Sequence, residues 1–168
     1  MSAKFAETHQ VVSGVVPVDL STAANDGDWV SLKGYGKLIV IMFKAVGTAG
    51  DDPTVAFQQA TAVAGTGAKD LTKITEVWKK QGTVLTATGT YTKATQTAAA
   101  SYVDLTSAEL AAIYIFEIDA EELDADNDFD CVRARIADVG TNAQLGSILY
   151  ILADPRYPEA TVDSAIAD

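Results

Sequence analysis

The chain has 168 residues, 48% of them apolar and 21% charged, with a net charge of -11, a balance that suits one domain burying a single core. The charge excludes a phosphate-binding surface, which needs clustered Lys and Arg, whereas Lys33, Lys37, Lys44, Lys79 and Lys80 form no stripe. Cys131 is the only cysteine, so an intrachain disulfide and a thiolate metal cluster are both excluded, and no apolar run approaches the roughly 18 to 20 residues of a bilayer span.

Residues 1–10 are polar, carry no apolar core after Lys4, and read as an N-terminal arm and not as a signal peptide. The expected site of synthesis is therefore the cytoplasm. Val11 to Val18 is a β-branched run holding Gly14 and Pro17, the pattern of a bent edge strand. Asp19 to Asp28 has loop chemistry, and Trp29 to Leu32 is a short strand. Gly34 and Gly36 then bracket a tight turn. Lys37 to Ala45 places Leu38, Val40 and Met42 on one face and Ile39, Ile41 and Phe43 on the other, which predicts a central strand covered on both sides.

Thr54 to Thr61 alternates with Val55, Phe57 and Gln59 on one face, and Gly65-Thr-Gly67 makes a turn. Ile74 to Lys80 is a strand carrying Trp78, followed by short strands at Val84 to Ala87 and Thr90 to Thr92. Thr95 to Ala100 reads as a polar low-complexity loop. Tyr102 to Leu105 is a strand, and Ser107 to Ala111 one helical turn. Ala112 to Asp119 and Cys131 to Asp138 alternate like strands on either side of an acidic bend. Leu145 to Leu152 is a second strand with two apolar faces, and residues 155–168 form a C-terminal tail. The single domain spans residues 11–154. About ten strands punctuated by turns suit an all-β sandwich or a closed barrel, and the two strands with apolar faces on both sides imply sheet packed on sheet.

The acidic bend is the first chemical lead. Eight carboxylates between Glu117 and Asp130 leave the rest of the chain at -3 when subtracted from -11. Asp124-Ala-Asp126-Asn-Asp128 matches the opening of an EF-hand loop, but Phe129 stands where Gly belongs and Arg135 where the bidentate Glu belongs. Asp124, Asp126 and Asp128 thus remain a candidate calcium site of another kind, set against a plain solvated turn. A hairpin between the two strands would place Glu117 opposite Arg133.

Catalytic leads are few. His9, the only histidine, lies in the arm, so no Ser-His-Asp or Cys-His pair can be built. Gly65-Thr-Gly67-Ala-Lys69 lacks the ending of a P-loop. Cys131 sits in a strand pattern and reads as a buried, inert thiol. Trp29, Trp78, Tyr35, Tyr91 and Tyr102 offer either a sugar-stacking platform or core. The chain is read as a non-enzyme with no cofactor.

Several segments in order carry a resemblance: Val15-Val-Pro-Val-Asp-Leu20, Gly27-Asp-Trp-Val-Ser-Leu-Lys33, Phe43-Lys-Ala-Val-Gly-Thr-Ala-Gly-Asp-Asp-Pro53 and Phe57-Gln-Gln-Ala-Thr-Ala-Val-Ala-Gly-Thr-Gly67. The acidic unit through Arg133 and Gly146-Ser-Ile-Leu-Tyr-Ile-Leu-Ala-Asp-Pro-Arg-Tyr157 complete it. Over residues 11–158 the chain resembles the capsid decoration, or cement, proteins of tailed bacteriophages. The resemblance implies an antiparallel, jelly-roll-like β-sandwich with flexible terminal arms on the capsid exterior of the virion. It also implies a homotrimer that clamps neighbouring copies of the major capsid protein, touching neither nucleic acid nor membrane. The alternatives are another phage component, of tail or head completion, and a carbohydrate-binding or host-adhesion sandwich.

Overall fold

The computed structural model describes residues 4–86, 88–105 and 110–157. A short helix α1 (Phe5–Thr8) precedes twelve strands: β1 (Gln10–Asp19), β2 (Asn25–Asp26), β3 (Val30–Ser31), β4 (Tyr35–Lys44), β5 (Thr54–Ala60), β6 (Lys69–Asp70), β7 (Ile74–Gly82), β8 (Thr92–Ala99), β9 (Ser101–Val103), β10 (Ala111–Asp119), β11 (Cys131–Ile136) and β12 (Leu145–Pro155). All pairings are antiparallel. The first sheet has the order β1-β12-β4-β10-β7-β8, and the second runs β2-β11-β5-β6, with β3 also on β11 and β9 also on β5. Strands β1-β12-β4-β10 thus lie against β2/β3-β11-β5-β9, the order of a jelly roll. Strands β6, β7 and β8 are inserted between β5 and β9, and β7 and β8 widen the first sheet.

From β1 to β5, and again from β9 to β12, the chain changes sheet at each connection, counting β2 and β3 as one interrupted strand. This explains why the acidic bend is not a hairpin end. It carries the chain from β10 in the first sheet to β11 in the second, through 3-10 turns at Ala120–Glu122 and Ala125–Asn127. The bend is tied down from inside. Leu123 is buried, the Asp124 N–H donates to Gln59 Oε1 at 2.8 Å, and Asp128 takes the left-handed conformation at φ 61°.

The core lies between the sheets. Leu38, Val40 and Met42 of β4, Tyr114, Phe116 and Ile118 of β10, and Ile148, Tyr150 and Leu152 of β12 face Val55 and Phe57 of β5 and Val132, Ala134 and Ile136 of β11. Phe57 and Phe116 meet edge to face at 4.9 Å between ring centres. Tyr150 spans the sandwich, and its hydroxyl accepts the Ala134 N–H at 2.8 Å. That reach needs Gly14 and Gly27 beneath the ring: a Cβ at Gly14 would lie 2.6 Å from the Tyr150 ring, and one at Gly27 2.5 Å from its hydroxyl.

Strand β1 is the bent edge strand expected from Gly14 and Pro17, with register shifts between Ser13 and Val15 and between Val15 and Val18. Three expectations are corrected. Residues 5–8 are helical and β1 starts at Gln10, so the first ten residues are not wholly an unpatterned arm. Residues 92–99 form β8 and not a loop, and no strand occurs among the described residues between Gly82 and Thr92. Strand β8 is an edge strand with no fully buried residue, and the part-buried positions on its inner side hold Ala94 and Gln96, so its Thr-rich chain shows no apolar alternation. Gln96 anchors it through hydrogen bonds to the Ile74 and Ser101 carbonyls at 3.0 and 2.9 Å. Finally, β12 continues through Pro155, because it pairs with Tyr35 at the edge of β4. The helical turn expected at Ser107 to Ala111, the Ala87 end of an expected strand and the tail beyond Tyr157 lie wholly or in part outside the described residues.

Candidate functional site

The two outer faces of the sandwich differ in chemistry. On the second sheet the exposed side is polar and internally paired. Arg133 donates from Nε and Nη2 to Gln58 Oε1 at 3.1 and 2.8 Å, pairs with Asp26 at 3.2 Å and lies 4.7 Å from the Trp29 ring centre. Arg135 pairs with the same Asp26. Glu117 therefore does not face Arg133: it bonds Lys37 Nζ at 3.0 Å on the other sheet, because β10 and β11 belong to different layers.

On the first sheet the outer face is apolar. Residues directly opposite each other across paired strands share a face, and the register sets three rows. Val11, Ile151 and Ile39 make the first, and Leu149, Ile41, Ile115 and Trp78 the second. Phe43 and Ile113 make the third. Val11 and Phe43 are 46% exposed, and Trp78 and Leu149 40%. The isoleucines are half-buried by their neighbours alone. Strand β4 is central, as its sequence predicts, but among the described residues no second sheet covers its Ile39, Ile41 and Phe43 side.

Ion pairs frame this face. At one end Lys37 bridges Glu117 at 3.0 Å and Asp119 at 3.5 Å; at the side Lys93 bonds Glu76 at 2.6 Å and sits 5.9 Å from the Trp78 ring centre. Glu117 raises the Lys37 pKa, chiefly through that hydrogen bond, and Asp119 adds to it. Lys80 lies opposite Ile113 at the other end. An open groove of about 350 Å³, lined by Lys37, Lys73, Glu76, Trp78 and Glu117 among others, runs along the framed edge.

The other sequence leads are placed apart. Asp124 is engaged by Lys69 Nζ and by Asn127 Nδ2, the latter at 2.8 Å, and the Lys69 bond is the first cause of its lowered pKa. The same Lys69 ammonium lies 3.9 Å from the Phe129 ring centre. Asp126 and Asp128 are exposed, and among the described residues no group of three or more His, Cys, Asp or Glu side chains is arranged to hold a metal ion. Cys131 is buried and donates to Asp130 Oδ1 at 3.0 Å. Burial, and secondarily Asp130, push the thiol up to about 12, so it stays protonated and unreactive at neutral pH.

Four of the five aromatic leads lie apart. Tyr35 is buried, Tyr102 packs on Tyr114 and Phe116 in the core, Trp29 lies on the second sheet beside Arg133 and Trp78 is on the first. Tyr91, exposed, directly precedes β8 on the first sheet. What sequence reasoning missed was the outer face itself. Its signal was present in the second apolar side of β4 and β12, taken there as a sign of covering layers. Compared with known proteins, the chain matches no family model, no curated protein and no solved structure, so its function is argued from these two faces.

Proposed function

We propose that the chain is a structural virion protein that works by protein–protein contact, attached to the outer surface of an icosahedral phage head and joining neighbouring major capsid subunits. The observation that carries the contact role is the exposed apolar face of the first sheet inside its frame of ion pairs. An apolar centre with large aromatic and branched side chains and a polar rim is the anatomy of an interface, and apolar patches of this breadth mark interaction sites. The capsid role comes from the segments that resemble decoration proteins. In such a role many modest contacts act together, and linked binding makes their combined hold far greater than any single one.

A second reading has one observation in its favour: Trp78 stands exposed beside a groove holding Glu76, Glu117 and Lys37, the mix of aromatic face and hydrogen-bonding groups that a sugar needs. The experiment that tests the proposal is co-sedimentation of the purified protein with expanded heads of the same virus, beside a glycan array. Saturation at a fixed number of copies per head is expected. A protein that stays in the supernatant and is retained on glycans would overturn the capsid role and establish the second reading.

A further inference from the structure

We propose that the gap between β7 and β10, at the framed edge of the apolar face, seats an arginine side chain of the protein partner, its guanidinium laid on the Trp78 ring beside Glu76 and Glu117. This deepens the reading of the first sheet as a docking face, on which it rests, by naming the charged anchor that the partner carries.

The gap follows from register. Strands β7 and β10 pair only from Gly82 and Ala111 to Trp78 and Ile115. Strand β10 continues beside β4 to Asp119, whereas β7 begins at Ile74, whose side chain is buried in the core. A shift in the β7–β8 register between Ile74 and Glu76 accompanies that turn inward. Beyond Trp78 and Ile115 the two strands therefore part, and the groove of about 350 Å³ lies at the parting. Residues two apart on a strand share a face, so Glu76 stands beside Trp78 on one wall and Glu117 beyond Ile115 on the other. The volume is at the lower end of ligand clefts, room for a single long side chain.

Charge selects the occupant. The carboxylates of Glu76, Glu117, Asp119 and Glu122 line the groove against the ammonium groups of Lys37 and Lys73. Lys93, which reaches Glu76 from β8, still leaves one negative charge in excess. The bend continues the same sign with the exposed Glu121, Asp126 and Asp128. A cleft lined by one sign of charge concentrates ligands of the other. The lysines present do not exhaust the carboxylates. Lys37 takes Glu117 Oε2 and Lys93 takes Glu76 Oε1, so Glu117 Oε1 and Glu76 Oε2 have no hydrogen-bond partner among the described residues. An ionised carboxylate accepts at both oxygens, and an incoming cation joins each pair without breaking it.

The aromatic wall narrows the cation to arginine. Trp78 is 40% exposed, and an indole face attracts a cation within about 6 Å of its centre. A guanidinium is flat: it stacks on such a ring and still donates in its own plane to carboxylates, which an ammonium does less well. The second sheet shows the same combination built within one chain, with Arg133 at 4.7 Å from the Trp29 ring centre while it pairs with Asp26. A neutral sugar would gain from Trp78 but not from the excess charge.

The test is a titration of the full chain with three end-blocked tripeptides, valine-X-valine, in which X is arginine, lysine or citrulline. Binding is read from the NMR signal of the Trp78 indole N–H, which Trp78→Phe identifies. The arginine peptide should shift that signal saturably. Citrulline, with the same shape and no charge, should bind at least about tenfold more weakly, and lysine between the two. Glu76→Gln and Glu117→Gln, both at exposed positions, should each weaken the arginine peptide about two- to fivefold, while Asp70→Asn on the second sheet leaves it unchanged. An arginine peptide that shifts nothing, or that binds no better than citrulline, would overturn the inference. A neutral glycan that binds at Trp78 more tightly than the arginine peptide would overturn it too and assign the groove to sugar. Co-sedimentation with heads keeps the two readings apart. A chain that binds the arginine peptide and ignores heads overturns only the capsid role. Heads that hold the wild type and the double variant Glu76→Gln, Glu117→Gln equally well overturn only the arginine anchor.

Discussion

Inside the sandwich the two sheets are treated alike: Phe116 of the first and Phe57 of the second meet at 4.9 Å, and Tyr150 of the first reaches Ala134 of the second. Outside they part. Ile41 stands between Leu149 and Ile115 and remains half-exposed, whereas Arg133 at a similar outward position on β11 is held by Gln58, Asp26 and Trp29. The outward side chains of the second sheet satisfy one another; those of the first are only part-buried within one chain. The difference teaches where the molecule needs a partner, because a face whose polar groups are already paired gains little from one, and an exposed apolar face gains by being covered.

The symmetry of the interior is the feature whose loss should cost most. Phe57→Ala and Phe116→Ala each remove half of the same aromatic contact and leave a cavity at the centre, so each should lower stability by about 3 to 5 kcal/mol. Urea unfolding checks this, and the comparison sharpens if the two losses agree. A small loss from either would mean that one sheet folds without the other. Tyr150→Phe is the gentler version. It keeps the ring and leaves the buried Ala134 N–H without its acceptor, for an expected loss of about 1 to 3 kcal/mol.

On the outside, Arg133→Ala should cost about 1 to 2 kcal/mol, more than most surface pairs, because it removes two hydrogen bonds to Gln58 as well as the Asp26 pair. Its effect should be the same at every protein concentration. A concentration-dependent loss would show that the second sheet, too, is an interface.

Acid probes the frame that holds β1 against β12 between the two faces. Asp19 Oδ1 accepts the Gln144 N–H at 2.9 Å, the Ser21 N–H at 3.1 Å and the Ser21 hydroxyl at 2.9 Å, and these bonds, that from Gln144 first, hold its carboxyl below the ordinary range. A carboxyl depressed by folding stabilises the native state fully above its unfolded pKa. That contribution is lost as pH falls through the folded value, since the unfolded chain then binds more protons. The melting midpoint should therefore fall on acidification below about pH 4. In Asp19→Asn this part of the acid dependence should be absent; an unchanged slope would assign it to other carboxylates.

Much of this was legible from residue order, and the failures share a cause. The alternation of β5 correctly placed Val55, Phe57 and even Gln59 inside, because a half-buried strand imposes a period of two on its own sequence. The bend in β1 was legible from Gly14 and Pro17. Strand β8 was not, because an edge strand that buries no residue fully imposes no apolar period. The hairpin pairing of Glu117 with Arg133 failed for a topological reason: adjacency in sequence says nothing about whether a short acidic connection turns back within a sheet or crosses to the other. The same limit hid the site. Two apolar faces on β4 announce two contacts, and the sequence cannot say whether the second is made within the chain or between chains.

The smallest effect on the isolated chain is also the one that separates the two faces most sharply. Ile41→Thr keeps a β-branched residue in the centre of β4 and shortens one outward side chain. In the free chain it should cost under about 1 kcal/mol, the scale of a cross-strand pair. A partner that binds only the folded state stabilises it by mass action, so added phage heads should raise the melting midpoint of the wild type. Ile41→Thr should flatten that rise while Arg133→Ala leaves it intact, although Arg133→Ala is the more damaging change in the monomer. The order of the two variants should thus change between free protein and protein with heads. Melting curves with and without heads are enough to see it, and an order that stays the same would mean that the outward isoleucines of the first sheet serve the single chain and not an assembly.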